Sequence, residues 1–230
     1  LYEQGLEAEH VFTPMGTSCS LGIHESQSRM WENMVGRSRE FWEAHYAKAN
    51  ELLGDTLAGI SLDAFCGAVN HVTPSLIRVE ADEVTYNLHV IVRFELERDI
   101  INGRLEVADI PAAWNAKMSE LVGVAPDNDA DGCLQDIHWS LGVFGYFPTY
   151  ALGNLYAAQF YAAAERDIGD LAARIRGGDT RPLLDWLRKH VHRHGMRYRA
   201  NELCERATGQ PLAVGPLMTY LESKYAAYYG

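Results

Sequence analysis

The stretch of sequence that decides the fold is LGNLYAAQFYAAAERDIGDLAARIRGG, at residues 152–178. It is rich in alanine, the residue with the highest helix propensity. Two consecutive glycines, Gly177 and Gly178, stand where such a helix would end. The stretch therefore predicts one long α-helix, and a helix of this length favours a protein built mainly from helices.

The preceding sequence extends this interpretation. Apolar side chains at helical spacing predict another long helix over residues 27–50. Ser61 is a suitable N-cap for a short helix over residues 62–69. The segment VTYNLHVIVRFELE, residues 84–97, is ambiguous because β-branched residues favour strands. Its length and the acidic residues before it favour a helix, which Gly103 would end.

The remaining segments also favour helices. Proline near the start predicts helices over residues 107–123 and 180–194. Two further helices, over residues 199–209 and 215–229, are expected to close the chain. Only residues 13–23 and 72–79 resemble short strands. We expect one mostly helical unit over residues 1–230, mainly α, with at most a small β-sheet.

Composition excludes some classes of partner. The 230 residues carry a formal net charge of -11, which argues against binding to nucleic acid or to an anionic membrane. No apolar run approaches the roughly 18 residues that a membrane span needs. Four scattered cysteines without a C-x-x-C pair predict reduced thiols and a cytoplasmic location.

Several polar side chains could carry chemistry, and each has a structural alternative. Glu25, in HESQS, would suit a metal ion, although a carboxylate beside a helix start usually caps the helix or stays solvated. His138, in QDIHWS, would suit catalysis, although a buried, hydrogen-bonded histidine is the commoner case. Arg78, in IRVEAD, would suit an anion, although the acids beside it make a salt bridge the simpler interpretation.

Two further runs have the same ambiguity. The aromatic run FGYFPTY, residues 144–150, has the composition of a core segment. Tyr146 and Tyr150 would nevertheless bring hydroxyl groups to whatever His138 faces. The run HVHRH, residues 190–194, looks like a metal-binding tract. Side chains two residues apart on a helix point in different directions, so we interpret this run as surface.

Three motifs, in a fixed order, carry a resemblance to a known family. They are HESQ at residues 24–27, IRVEAD at residues 77–82 and GCLQDIHW at residues 132–139. Together with FGYFPTYALGNLYAAQ, which follows, they closely resemble the thermostable metallocarboxypeptidases of the carboxypeptidase Taq type. The signatures of that family read H-E-S-Q, I-R-x-x-A-D and G-x-x-Q-D-x-H-W. The resemblance covers essentially the whole chain.

The resemblance implies a metal ligand and an incomplete metal site. In that family, zinc is held by both histidines of an H-E-x-x-H motif and by the glutamate of H-E-S-Q, which corresponds to Glu25. This sequence contains no H-E-x-x-H, and its opening LYEQGL resembles the segment that follows that motif. We therefore expect the chain to be the C-terminal part, roughly half, of such an enzyme. Zinc, or alternatively cobalt, would serve the complete enzyme, whereas this part alone would bind none.

The resemblance also implies roles around the substrate. His138, with Tyr150 or Tyr146, would donate to the oxyanion that develops during peptide hydrolysis. Arg78 would bind the free carboxylate of a peptide or protein C-terminus.

Gln135 and Asp136 would belong to the same substrate site and orient their neighbours. The family fold is predominantly helical, with a groove and a small sheet near the zinc.

Two classes of function remain open at the level of the sequence. The first is a part of a zinc metallocarboxypeptidase with broad specificity, commonly a homodimer. The second is a non-catalytic helical module for interaction or oligomerisation, derived from that family. Apolar surface left by the missing part would favour self-association in either case.

Overall fold

The structure is a computed structural model that describes residues 1–230. It contains ten α-helices and no β-strand, which confirms the prediction of a mainly α protein. In chain order the helices are α1 Leu21–Arg29, α2 Arg39–Leu53, α3 Leu62–Val69, α4 Tyr86–Ile101, α5 Ile110–Leu121, α6 Pro148–Ile168, α7 Leu171–Arg176, α8 Arg181–His190, α9 Ala200–Thr208 and α10 Gly215–Tyr229.

The contacts within the chain form two compact units. The first unit comprises residues 1–69 and 152–230, and the second unit comprises residues 70–151. That the whole chain acts as one domain stays a prediction. None of the helices combines the length and the apolar character that crossing a membrane requires.

The two candidate strands do not form. Within residues 13–23, a 3₁₀ turn covers Pro14–Gly16, and α1 follows once the Ser20 hydroxyl accepts a hydrogen bond from the Ile23 N–H at 3.1 Å. Residues 72–77 have no regular structure and lead into a 3₁₀ turn at Arg78–Glu80. No second strand is present for either segment to pair with, so their β-branched residues do not produce a sheet.

The helix predicted over residues 27–50 is interrupted. A π-helical segment, Met30–Gly36, continues α1, and α2 then begins after Ser38. The Ser38 hydroxyl accepts a hydrogen bond from the Phe41 N–H at 3.2 Å. A local N-cap therefore divides a continuous apolar pattern into two helices.

The long alanine-rich helix is likewise divided. Gly169, with φ of +82°, ends α6, and α7 starts two residues later at Leu171. Glycine adopts this left-handed conformation without the steric cost that a Cβ would add, so it is a common helix terminator. The prediction of a single helix ending at Gly177 and Gly178 was wrong at this point.

The ambiguous segment at residues 84–97 is helical from Tyr86 onward, as its length and charge pattern indicated, and belongs to α4 of the second unit. Its apolar side chains pack with those of α5. The buried members of this core are Val92, Leu96, Trp114, Met118 and Val122. A second buried cluster, beside α4, contains Ala81, Tyr86, Val90 and Phe147.

The first unit has the larger core. Its fully buried members come from α1, α6, α8 and α9 and include Ile23, Phe160, Leu183, Leu187 and Leu203. Helices α1 and α6 approach closely because Gly22 of α1 has no side chain to separate them. A Cβ on Gly22 would lie 3.3 Å from the Cβ of Leu152.

Candidate functional site

Glu25 projects from the middle of α1 and is half-buried. Burial raises the pKa of its carboxyl group, although the nearby positive charge of Arg29 acts in the opposite direction. The Ser28 hydroxyl donates to Glu25 Oε2 over a long 3.4 Å. A half-buried carboxylate held this weakly keeps the capacity to bind a cation.

The backbone of α6 provides the space for Glu25. A Cβ at Gly153 would lie 2.5 Å from Cγ and 2.8 Å from Cβ of Glu25. Non-bonded carbon atoms do not approach each other this closely, so any larger residue at position 153 would displace the glutamate. Gly153 therefore determines where the carboxylate lies.

Gln27, of the same HESQ motif, is anchored to a buried histidine. Gln27 Nε2 donates to Ser26 Oγ at 2.9 Å, which identifies Oε1 as the atom that accepts from His192 Nε2 at 2.7 Å. His192 is fully buried, and burial lowers its pKa to about 3. It is therefore neutral at pH 7.

The burial of His192 corrects the interpretation of the HVHRH run as surface. Helix α8 ends at His190, and a 3₁₀ segment, His192–Arg197, turns the chain inward. The ring of His192 packs on Tyr2 at 4.9 Å between centroids. Helical geometry does not apply to this run because the helix ends at its first residue.

The structure brings no set of three metal-binding side chains together around Glu25. A catalytic zinc takes three protein ligands, and Glu25 offers one of them. The grouping of metal-binding side chains that the structure brings within reach of one ion is Glu7, Glu9 and His10, and it does not include Glu25. Glu25 fits a metal as a single ligand, and the set around it is incomplete within this chain.

Asp136, in the second unit, lies between two arginines. Arg78 Nε and Nη2 donate to Oδ1 at 3.1 and 2.6 Å, and Arg93 Nε donates to Oδ2 at 2.6 Å. Burial alone would raise the pKa of Asp136, but the two guanidinium groups outweigh it and hold the pKa below its usual range. Asp136 is therefore a permanent anion at neutral pH.

Gln135 connects the same two arginines. Its Oε1 accepts from the Arg78 backbone N–H at 2.9 Å and from Arg93 Nη2 at 2.8 Å. Its Nε2 donates to the Leu76 carbonyl at 3.0 Å. The QD pair of the third motif thus holds the IRVEAD segment against α4.

Arg78 is buried within this network. Its Nη1 donates to the Tyr86 hydroxyl at 2.9 Å, and its guanidinium lies 4.8 Å from the centroid of the Tyr150 ring. Arg78 does form a salt bridge, but its partner is Asp136 and not one of the acids beside it in the sequence. Binding of a substrate carboxylate by Arg78 stays a prediction.

His138 is paired with Tyr150. Its Nε2 lies 3.0 Å from the Tyr150 hydroxyl, and its ring packs on Phe147 at 4.3 Å between centroids. His138 Nδ1 has no hydrogen-bond partner and lies 3.8 Å from Asp136 Oδ1. Burial lowers the pKa of His138, so the ring is neutral at pH 7.

The two candidate tyrosines differ. Tyr146 contacts His138 through its ring, at 5.4 Å between centroids, whereas Tyr150 contacts it through its hydroxyl group. The structure therefore brings six candidates together in the second unit. They are Arg78, Gln135, Asp136, His138, Tyr146 and Tyr150. Glu25 belongs to the first unit.

The sequence patterns did not identify two buried charged side chains of α4. Arg93 and Glu97 are 0% and 3% exposed, respectively. Glu97 accepts a hydrogen bond from Trp139 and another from Gly145. Arg93 and Glu97 stand four residues apart in α4. That spacing places them on one face, and it is the signal that could have identified them.

Known proteins resemble this chain over its full length. The family model described as "Carboxypeptidase Taq (M32) metallopeptidase" matches residues 1–225. Thermostable carboxypeptidase 1 of Thermus thermophilus is 54% identical over 230 residues, which are 100% of this chain and 45% of that protein. Carboxypeptidase 1 of Bacillus subtilis is 43% identical over 229 residues, 100% of this chain and 46% of that protein.

Solved structures agree with the fold. The crystal structure of the M32 carboxypeptidase from Deinococcus radiodurans R1 superposes with a TM-score of 0.97 at 49% identity, and the match covers 100% of this chain and 46% of that one. The chain thus spans about half the length of the relatives that it matches. From its motifs, its helical fold and these matches, the chain belongs to the carboxypeptidase Taq (M32) metallopeptidase family.

Proposed function

We propose that this chain is part of a zinc-dependent metallocarboxypeptidase that removes residues from peptide and protein C-termini with broad specificity. The observation that carries the proposal is the pairing of His138 Nε2 with the Tyr150 hydroxyl at 3.0 Å beside a buried ion-pair network. The names of the relatives support the reaction, since they are carboxypeptidases.

The proposed role of the His138–Tyr150 pair is to stabilise negative charge. When water attacks a peptide carbonyl, its oxygen becomes an oxyanion that needs hydrogen-bond donors. A neutral imidazole and a phenol both offer a donor at pH 7, and in the one hydrogen bond between them one group donates and the other accepts. Tyr146, whose ring packs on His138, is the alternative donor.

The proposed role of Arg78 is recognition of the free carboxylate that defines a C-terminus. Arginine suits this role because its planar fork matches a carboxylate. Nη1 and Nη2 each donate one hydrogen bond inside the protein, which leaves one N–H on each nitrogen. Gln135 and Asp136 would fix its orientation.

The proposed metal role falls on Glu25, which would supply one of three protein ligands. A bound zinc ion, or cobalt as the alternative, would lower the pKa of a water molecule and polarise the peptide carbonyl. The two histidine ligands and the general base would come from a part of the enzyme that this chain does not contain. The family description supports a metal in general, and zinc is our choice among metals.

The proposal extends to the assembly and the location of the protein. Exposed apolar side chains of the second unit, among them Leu134, Ile137 and Leu141 at 71%, 67% and 67% exposure, favour a homodimer or larger assembly. The exposure of these apolar side chains also favours the second candidate, a non-catalytic helical module for interaction or oligomerisation. None of the four cysteines forms a disulfide, which supports a cytoplasmic location.

One experiment separates the two candidates. The 230-residue chain and the intact enzyme that contains it are each titrated with zinc by calorimetry and assayed on free-acid peptides. We expect zinc binding and turnover in the intact enzyme and neither in the 230-residue chain. An intact enzyme without metal-dependent hydrolysis would favour the non-catalytic module, and turnover by the chain alone would contradict the incomplete site.

A further inference from the structure

We propose that Glu97 is a positioning residue whose carboxylate joins the two ends of residues 139–145 and thereby holds His138 in place beside Tyr150. The catalytic meaning of this inference rests on the function proposed above. The contacts that carry it do not, because they concern one glutamate and the two residues, Trp139 and Gly145, that bind it.

Each oxygen of the Glu97 carboxylate accepts one donor. Trp139 Nε1 donates to Oε1 at 2.9 Å, and the Gly145 backbone N–H donates to Oε2 at 3.1 Å. Trp139 directly follows His138, and Gly145 directly precedes Tyr146. One side chain of α4 therefore fixes both ends of the connection between the imidazole and the tyrosines.

The connection itself is folded back on His138. The Val143 N–H donates to the His138 carbonyl at 2.8 Å, and the Gly142 N–H donates to the Trp139 carbonyl at 3.0 Å. Gly142 and Gly145 have φ of +70° and +81°, a region that glycine enters without strain. The two hydrogen bonds of Glu97 hold the open end of this turn together.

The burial of Glu97 indicates that the anchor serves geometry more than stability. The residue is 3% exposed, and burial raises the pKa of its carboxyl group against the opposing effect of its bonds to Trp139 and Gly145. Placing a carboxylate here costs desolvation that an apolar side chain of similar size would avoid. An apolar side chain could not accept either N–H.

The consequence for His138 follows from its neighbours. Phe147 packs on the imidazole at 4.3 Å between centroids, and Tyr150 bonds to Nε2 at 3.0 Å. Phe147 and Tyr150 stand two and five positions after Gly145, the end of the segment that Glu97 anchors. Loss of the hydrogen bond between Gly145 and Glu97 would let Phe147 and Tyr150 move away from the imidazole. The His138–Tyr150 contact would then lengthen, and the His138 ring would be exposed to water.

The test uses Glu97→Gln, which preserves shape but places an NH₂ group where one oxygen was. That NH₂ meets the N–H of either Trp139 or Gly145, so one of the two bonds must break. The matched control is Asp167→Asn. Asp167, in the first unit, accepts from Trp186 Nε1 at 2.9 Å and controls for loss of a carboxylate–indole bond as such.

Two measurements are made on both variants. In the 230-residue chain, NMR titration gives the pKa of His138. In the intact enzyme, steady-state kinetics on a free-acid peptide give kcat and KM. For Glu97→Gln we expect the His138 pKa to rise by roughly half a unit or more as the ring becomes exposed. We expect kcat to fall by about tenfold or more, with KM changed less than about twofold.

The control should leave both quantities at wild-type values. A His138 pKa and a kcat that stay unchanged in Glu97→Gln would overturn the proposal, as would an equal response to Asp167→Asn. If Glu97→Gln does not fold, Trp139→Phe removes one donor while keeping an aromatic ring, and the same outcomes decide. If the intact wild-type enzyme lacks carboxypeptidase activity, the proposed function fails while the NMR measurement still decides whether Glu97 positions His138.

Discussion

Gly153 of α6 and Glu25 of α1 occupy adjoining space, so close that a Cβ on the glycine would lie 2.5 Å from Cγ of the glutamate. Glu25 is half-buried because α6 can approach it this closely. The position of a proposed metal ligand thus depends on the absence of a side chain about 130 residues away in the sequence.

We predict that Gly153→Ala displaces Glu25 and lowers the zinc affinity of the intact enzyme. The methyl group cannot be accommodated without a shift of α1 or α6, which should reduce the free energy of unfolding by about 1–3 kcal/mol. Calorimetric zinc titration and chemical denaturation measure the two effects.

The matched control is Gly67→Ala in α3, where an added Cβ meets nothing within 4 Å. Alanine is the better helix former by about 1 kcal/mol, so this variant should be as stable as the wild type or more stable. Equal behaviour of the two variants would show that Gly153 does not constrain Glu25.

We predict that Glu25→Gln lowers metal affinity and hydrolysis in the intact enzyme by orders of magnitude. A neutral amide is a poor zinc ligand, whereas the shape of the side chain is unchanged. Zinc content by atomic spectroscopy and turnover of a free-acid peptide are the measurements. Glu51→Gln, at an exposed site on α2, is the control and should leave both unchanged. Stoichiometric zinc with near-normal activity in Glu25→Gln would remove Glu25 from the site.

We predict that Asp136→Asn destabilises the chain by about 3–5 kcal/mol, because it leaves Arg78 and Arg93 buried without their common anion. Urea denaturation of the 230-residue chain measures this loss. Asp99→Asn removes an exposed partner of Arg104 and should have a much smaller effect. A loss as small as that of the control would mean that water, not Asp136, compensates the two arginines.

The same ion pairs predict how stability depends on pH. The pKa of Asp136 is lowered in the folded state, so its contribution is present above the unfolded-state pKa of about 3.9 and is lost as pH falls through the folded-state value. The free energy of unfolding should therefore decrease below about pH 4 in the wild type. The decrease should be shallower in Asp136→Asn, and identical pH profiles would contradict the assignment.

We predict that Arg78→Ala impairs the hydrolysis of free-acid peptides more than that of the corresponding C-terminal amides. The ratio of the two kcat/KM values isolates carboxylate recognition from a general loss of structure, since both substrates experience the same protein. Equal losses on the two substrates would leave Arg78 with the structural role alone, in its bonds to Asp136 and Tyr86.

Helical periodicity was a sufficient guide to most of the fold. The segment of α4 was ambiguous in composition, but it is longer than a typical strand, and this length correctly indicated a helix. Apart from the two segments that resembled strands and form none, the errors lie at helix ends. Ser38 begins a new helix and Gly169 ends one, and both decisions depend on local capping and backbone conformation inside an uninterrupted apolar pattern.

Composition and apolar periodicity encode the helical class, because both are local properties of the chain. The ordered motifs carry the resemblance to the family, and that resemblance points to the candidate residues Glu25, Arg78, Asp136 and His138. Which partners each of these residues has depends on tertiary packing. It buried His192 against Gln27, surrounded Asp136 with two arginines, and selected the Tyr150 hydroxyl over that of Tyr146 for His138. These contacts join residues that are 12 to 165 positions apart. Such pairings depend on how the helices pack, which no local pattern specifies.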